Sequence, residues 1–533
     1  MHIYDLSNPS DRIIGKVLAF QARVQPDAEW LVEEGRSLTF GEADVLVNRY
    51  ANALAALGVT PGKVVAMVME PSIEVILLSF ATSRIGGIFM TVSTDFTGGF
   101  LCEAIAACMP QVLVIDAALA PRLDKLDEIG GAGAVLVNGD SPAGKWSARP
   151  LATLREASPT PPSYEPHWLE PMQVWWSSGT TGKPKGVMHA HSSVLMQVLS
   201  HDRDIREGDT LYSCTPVYLG SPWTATVWPS VVFGVRAAID AKFSVSRFWD
   251  RIRHYGATQA FTLGAMHILL WKAPPSPSDT NHNLRPFVGI PMPHDLMPKF
   301  NKRFGIGAMS QGYGTSETFR VFDAPDDDSD KTGALIGTPV PRFEVKLLDK
   351  EDLEVPQGTA GEICVRSREP GHLFLGYFRD PQRTLDAWSS LWHHTGDMAV
   401  QKEDGQFYFA DRKKDYIRYK GRSLSMFEIE QIVDKHDGVA DVAAYGITSA
   451  ELESESELMV AVVRRPGAAF GPEEVARFVN DNAPYFFVPR FIRFIDELPR
   501  NAHGRIQKED LRCEGVTADT WDRESTDFVV TRD

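Results

Sequence analysis

The chain has 533 residues, 43% of them hydrophobic and 23% charged, with a formal net charge of −16 at pH 7. This length exceeds what one hydrophobic core supports, so two or more packed units are expected, and the composition excludes a disordered or collagen-like chain. The excess of negative charge argues against a nucleic-acid surface and leaves room for a local basic groove that takes phosphates.

Cys102, Cys108, Cys214, Cys364 and Cys513 are scattered, odd in number and contain no C-x-x-C, so neither a disulfide framework nor a zinc site is expected, and a reducing cytoplasm is the expected location. Met1–Ser10 has no basic stretch leading into an apolar one, so no signal peptide is read there. The most apolar segment, Val64 to Val92, is broken by Glu70, Glu74 and Arg84, which excludes it as a membrane span.

Thr39-Phe40-Gly41-Glu42 has the form of a capping box, and Leu46, Tyr50, Leu54 and Leu57 follow at helical spacing before Gly58. Val64–Met69 reads as a buried strand and Ile73–Ile85 as a helix after Pro71. Further strands are expected at Val112–Ile115 and Ala134–Val137, and Ser141–Pro166, rich in Pro, Ser and Ala, reads as a connector. Alternation of strands and helices predicts an α/β unit. The acidic run Asp323–Asp330 reads as a solvated loop, and Phe343–Arg366 as a small β-rich subdomain. Late in the chain, Ser425-Met426-Phe427-Glu428 forms another capping box with Ile429, Ile432 and Val433 on one face. A further helix starts at Pro472 and stops at Pro484. From about residue 413 onward a compact α+β unit is therefore expected.

Between the connector and the later elements lies Ser177-Ser178-Gly179-Thr180-Thr181-Gly182-Lys183-Pro184-Lys185-Gly186. Its glycines let backbone N–H groups approach an anion, its hydroxyls donate to oxygens, and Lys183 and Lys185 add positive charge, which together is phosphate-handling chemistry. The spacing does not fit a Walker A loop. Apolar Val174-Trp175-Trp176 before it and Val187-Met188 after it predict a loop slung between two buried strands.

Other segments carry chemistry more weakly. Gln311–Thr318 combines the flat ring of Tyr313, backbone freedom at Gly312 and Gly314, the Ser316 hydroxyl and the Glu317 carboxylate. Alone it could equally be a turn with Tyr313 in the core. Thr395-Gly396-Asp397 reads as a turn presenting an acid able to accept two hydroxyls, and His393 and His394 beside it have no evident partner. Asp411–Gly421 packs five cations into a short stretch and reads as an interdomain linker.

These segments, in this order, resemble the adenylate-forming superfamily of acyl-CoA synthetases, peptide-synthetase adenylation domains and luciferase-like enzymes. The resemblance runs from the helix after Leu38 to Lys508. It implies a large N-terminal domain of mixed α/β sheets with a β-rich subdomain, residues 1–412, and a small mobile α+β C-terminal domain, residues 413–533. It implies that Ser177–Lys183 holds ATP phosphates, that Tyr313 stacks on the adenine, that Gly314 and Ser316 belong to the same ATP site, and that Glu317 binds Mg2+. Gly289, in Gly289-Ile290-Pro291, would lie against the base, Asp397 and Arg412 would hold the ribose, Lys414 would be the hinge, and Gly421 would line the CoA tunnel. By position in the family, Tyr218, Trp223, Met266, His267 and Gly312 would border the acid.

The sequence departs from the family where Leu498–Lys508 should carry a lysine directly after a glycine: here Arg505 follows Gly504, and Lys508 stands three residues on. Arginine keeps the charge but differs in reach and geometry from an ammonium. A second departure is Leu219, where many relatives have a histidine or aromatic residue. The resemblance implies an AMP-forming acid–CoA ligase with ATP, Mg2+ and CoA as its small-molecule partners and a carboxylic acid as substrate. Lys185, Glu317, Arg505 and Lys508 are its candidate catalytic groups. A carrier-loading adenylating enzyme, or a non-catalytic acyl-nucleotide or CoA binder that lost its lysine, are the alternatives.

Overall fold

The computed structural model describes residues 1–96, 98–123, 132–140, 148–177, 185–199, 204–290, 296–324, 335–412, 416–419, 422–448, 456–483, 485–501 and 506–531. The chain forms two compact units, Met1–Val345 with Val365–His393, and Lys346–Cys364 with His394–Asp533.

In the larger unit the first capping box forms as expected. Glu42 N donates to Thr39 Oγ1 at 3.2 Å and Thr39 N donates to Glu42 Oε2 at 2.9 Å, starting the helix Phe40–Ala56, which buries Tyr50 and Leu54. Val64–Val68 is buried on both faces, as strands of a covered parallel sheet must be. It sits inside an eight-stranded sheet whose order is Gly376–Tyr377, Lys185–Ala190, Pro171–Ser177, Ile88–Thr91, Val64–Val68, Val112–Asp116, Ala134–Asn138, Arg149–Pro150. The first two strands run antiparallel to their neighbours and the rest are parallel. The expected connector is less plain than its composition implies. It contributes the edge strand Arg149–Pro150 and a 3-10 turn, Leu151–Glu156, because Leu151 and Leu154, three apart, bury together.

A second sheet of this unit orders Leu335–Pro339, Phe319–Ala324, Ala308–Thr315, Pro286–Ile290, Gln259–Leu263, Thr210–Ser213, Arg236–Ile239, Glu29–Glu33 and Arg36–Thr39. Ala308–Thr315 and Phe319–Ala324 make an antiparallel hairpin.

The expected loop stem is present. Pro171–Ser177 and Lys185–Ala190 pair antiparallel, with Trp176 opposite Gly186 and Ser177 opposite Lys185. Gly186 is packed so closely that an added Cβ would lie 2.8 Å from Val174 Cγ1 and 3.2 Å from Phe378 Cβ.

The smaller unit is α+β. The helices Met426–Val433 and Pro472–Asn482 accompany the sheet Val439–Thr448, Ser456–Arg464, Phe491–Phe494, Trp521–Asp522. Its core includes Ile429, Val433, Val460, Val475 and Val479. The β-rich stretch supplies the run Phe343–Leu348, Ala360–Ser367, Trp392–Gln401 and Phe407–Arg412. Among the described residues no helix is long and apolar enough to cross a membrane.

Candidate active site

Lys185 opens the strand that leaves the Gly-Thr-rich loop, and its ammonium lies against a carboxylate 132 positions away in sequence, Glu317. The pair has a third member. Lys185 Nζ donates to Tyr377 Oη at 3.0 Å, and Tyr377 Oη donates to Glu317 Oε1 at 2.9 Å. The ammonium also sits 4.8 Å from the Tyr377 ring centroid.

Each member is placed by backbone pairing. Tyr377 is opposite Val187 in the two-residue strand Gly376–Tyr377, and its N–H donates to Thr384 Oγ1 at 2.8 Å. Glu317 sits in the tight connection of the Ala308–Ala324 hairpin, where its N–H donates to Thr315 Oγ1 at 3.2 Å and its carbonyl accepts from Phe374 N at 2.9 Å. His189 Nε2 donates to the Ser316 carbonyl at 2.7 Å and so ties the lysine's strand to this connection.

Burial of the Glu317 side chain, 7% exposed, would by itself raise its carboxyl. The Lys185 charge and hydrogen bond, with smaller help from His393 and Tyr377, more than offset burial and hold it down at about 2. Tyr377 is pushed strongly up by burial and by Glu317. Burial holds His189 neutral, down at about 4.

The hairpin tolerates no side chain at Gly314, where a Cβ would fall 1.8 Å from the Phe319 carbonyl oxygen. Phe319 takes φ +55, a left-handed conformation that a bulky residue rarely adopts, and its ring packs on His189, Trp175 and Trp228. Tyr313 is half-buried with its ring edge-on to Phe322 at 5.9 Å.

In the smaller unit the Thr-Gly-Asp motif is not the expected turn. It lies within the strand Trp392–Gln401, which Gly396 bends at φ +76 and which carries a register shift between Met398 and Ala399. Glycine's access to positive φ converts what reads as a turn into a kinked strand. Asp397 is opposite Arg412 across the pair with Phe407–Arg412. Glu362 props the kink. Its Oε1 accepts from Gly396 N at 3.0 Å and its Oε2 lies 2.9 Å from His394 Nδ1. His394 therefore has a partner that its sequence neighbourhood did not reveal.

Of the other expected site residues, Tyr218 is buried and its hydroxyl donates to Asp95 Oδ2 at 2.6 Å. Trp223 is fully buried, donates from Nε1 to the Val217 carbonyl at 2.8 Å and begins a π-helical turn, Trp223–Val227. Met266 is half-buried against the core, and His267 is fully buried with Nδ1 3.3 Å from Thr262 Oγ1. Gly312 lies in the hairpin beside Phe322. Lys508 Nζ is 2.8 Å from Glu430 Oε1, which also accepts from Ala444 N at 2.8 Å. Arg500 and Ile506 pair in an isolated antiparallel bridge.

Ser177, Gly289 and Arg412 are placed by their strands, and Gly314 and Ser316 by the hairpin. Residues 178–184, with Ser178, Gly179, Thr180, Thr181, Gly182 and Lys183, lie outside the described residues, as do Pro291, Lys414, Gly421 and Arg505.

The AMP-binding enzyme family model matches residues 18–378, and the AMP-binding enzyme C-terminal domain model matches residues 428–505. A crotonobetaine/carnitine–CoA ligase from Salmonella heidelberg (strain SL476) is 28% identical over 495 residues, covering 90% of this chain and 93% of that protein. ATP-bound MatB from Rhodopseudomonas palustris superposes with a TM-score of 0.81 at 24% identity, covering 94% and 98% of the two chains. The amide bond synthetase McbA from Marinactinospora thermotolerans gives 0.79 at 24% identity, covering 94% and 100%. The two-unit α/β fold, the order of the motifs and the match over most of its length make this chain a member of the AMP-binding enzyme family, the adenylate-forming superfamily.

Proposed function

We propose that this protein is an AMP-forming acid–CoA ligase, activating a carboxylic acid with ATP to an acyl-adenylate and passing the acyl group to CoA. The observation that carries the reading is the Lys185–Glu317–Tyr377 cluster, set at the mouth of a loop stem in a chain of this family. A cation and a buried carboxylate side by side at a phosphate-type loop are the pair that an ATP-dependent carboxylate activation uses.

In the first step a carboxylate oxygen attacks the α-phosphorus and pyrophosphate leaves. Lys185 and Arg505 neutralise charge that develops on the phosphate oxygens, an electrostatic form of catalysis. Glu317 offers a buried, ionised carboxylate, the donor that magnesium takes together with phosphate oxygens, so the residue fits that ion. When bound, magnesium withdraws charge from those oxygens. Ser177–Lys183 cradles the phosphates, Tyr313 stacks on the adenine with Gly289 against it, Gly314 and Ser316 belong to the same ATP site, and Asp397 and Arg412 take the ribose hydroxyls. The acid lies by Tyr218, Trp223, Met266, His267 and Gly312; π-helical turns such as Trp223–Val227 often accompany functional sites. In the second step the domain from residue 413 onward pivots at Lys414 and brings Gly421 to the CoA arm, whose thiolate attacks the acyl carbonyl and expels AMP. Lys508, engaged by Glu430, supports the reading of Arg505 as the adenylation cation. The location is cytoplasmic, in keeping with five free thiols.

The relatives named as CoA ligases support the thioester step, and the amide bond synthetase marks the competing fate of the adenylate. Mass spectrometry of the purified protein with ATP, magnesium, CoA and a pool of carboxylic acids tests the reading. AMP with a new acyl-CoA is expected. AMP without a thioester directs the acyl group to a carrier or an amine, and absence of AMP with every acid overturns the ligase assignment.

A further inference from the structure

We infer that the Lys185–Glu317 ion pair is a resting contact that the nucleotide must open, and that Tyr377 is the positioning residue that keeps Glu317 in place when Lys185 leaves it. The inference rests on the nucleotide role proposed above for Lys185 and Glu317.

An ammonium has three donors and no acceptor. Here Lys185 Nζ spends donors on the Glu317 carboxylate and on the Tyr377 hydroxyl, so it is turned toward protein acceptors. Glu317 is equally engaged, and its side chain is only 7% exposed. Moving Lys185 to a phosphate would strand a buried carboxylate, and delivering a cation to Glu317 alone would leave the lysine beside a new positive charge. Either half-exchange is penalised because a buried charge loses its partner. A nucleotide that brings an anion and a cation together exchanges both at once: phosphate to Lys185, metal to Glu317. The pair therefore selects the metal–nucleotide complex over either component.

Tyr377 is the part that stays. Its backbone is fixed by pairing with Val187 and by the Thr384 hydroxyl, and its own hydroxyl donates to Glu317 Oε1 at 2.9 Å. When Lys185 departs, this bond is the contact that continues to aim the carboxylate. Because Tyr377 acts through Glu317, its contribution must vanish when the carboxylate is removed.

The test is calorimetric binding of the α,β-methylene analogue of ATP to the full chain, in EDTA and with magnesium, for the wild type, Glu317→Gln, Tyr377→Phe and the double variant. Wild type is expected to bind the magnesium complex at least about tenfold more tightly than the free analogue, and Glu317→Gln to bind the free analogue about tenfold more tightly than wild type. Tyr377→Phe should weaken free-analogue binding about tenfold in the wild-type background and less than about twofold in the Glu317→Gln background. An equal effect of Tyr377→Phe in both backgrounds, or no gain from Glu317→Gln, overturns the inference while leaving the ligase reading intact. Absence of analogue binding to wild type in either condition removes the nucleotide role itself and the inference with it. Should Tyr377→Phe not fold, acetylation of the ligand-free wild type gives an independent readout. Lys185 should react at least about tenfold more slowly than Lys242, whose side chain is 75% exposed, and equal rates overturn the resting pair.

Discussion

Asp397 and Arg412 stand directly opposite each other across an antiparallel strand pair, fifteen positions apart in the chain and both in the smaller unit. Two residues proposed to share one ribose are thus brought to one rung of one ladder. Asp397→Ala should weaken ATP binding about tenfold, the loss of charge-assisted hydrogen bonds, with thermal stability nearly unchanged because the side chain is only half-buried. Calorimetry on the variant checks this, and unchanged affinity removes Asp397 from the nucleotide.

Glu362 supports the kink beside that rung. Glu362→Ala leaves the half-buried Gly396 N–H without its acceptor and removes the nearest partner of the His394 ring, which should destabilise the protein by about 1–2 kcal/mol. ATP affinity should fall with it, since Gly396 holds the kink that presents Asp397. Denaturant unfolding and nucleotide titration on the same preparation separate this from a purely local loss.

Gly314→Ala should be among the most damaging single changes in the chain. The added methyl would lie 1.8 Å from a backbone oxygen that cannot rotate away, so the hairpin carrying Tyr313 and Glu317 must open. A stability loss of about 3 kcal/mol or more, or failure to fold, is the expected result in thermal denaturation.

Lys508 and Arg505 should separate cleanly. Lys508→Met breaks a mostly buried ion pair with Glu430 and should lower the melting temperature by several degrees, with pyrophosphate exchange retained. Arg505→Ala should leave stability within about 0.5 kcal/mol and slow adenylation about a hundredfold. Reversed outcomes would make Lys508 the adenylation cation.

Acid should unfold the larger unit through its histidines. Burial holds His189 at about 4, His191 at about 3 and His372 at about 4, all depressed from 6.5. Below pH 6.5 the unfolded chain takes up protons that the folded one refuses, so stability falls as pH drops from about 6.5 toward 4. At pH 5 each contributes a loss on the order of 2 kcal/mol. Glu317 acts lower: its stabilisation is present above its ordinary 4.5 and disappears as pH falls toward 2. Urea unfolding from pH 7 to pH 4 checks the histidine window, and a flat profile contradicts the buried neutral rings.

Local grammar made much of the fold readable. Thr39 and Glu42 are three apart, so the cap is written in adjacent letters, and the apolar runs around the Gly-Thr-rich loop are its two stem strands. What escaped depended on long-range pairing. Tyr377 meets Lys185 across 192 positions through a strand of only two residues, too short to show an alternation of its own. The apolar Leu373-Phe374-Leu375 followed by Gly-Tyr was the one available signal. His394 likewise shows no partner in its own stretch because Glu362 is set by sheet neighbours, and the bond from His189 to Ser316 is equally long-range. Thr395-Gly396-Asp397 misled because a glycine at positive φ serves a bent strand as readily as a turn.

Gly186 carries a lesson about how this architecture can vary. Packed under Val174 and Phe378, it is a keyway that admits no side chain, so sliding the two stem strands by one residue would drive Lys185 or Val187 into a space neither can enter. The hairpin is thereby locked in one alignment independently of whatever connects its ends. Lys185 is thereby delivered opposite Ser177 by the packing of the stem strands themselves.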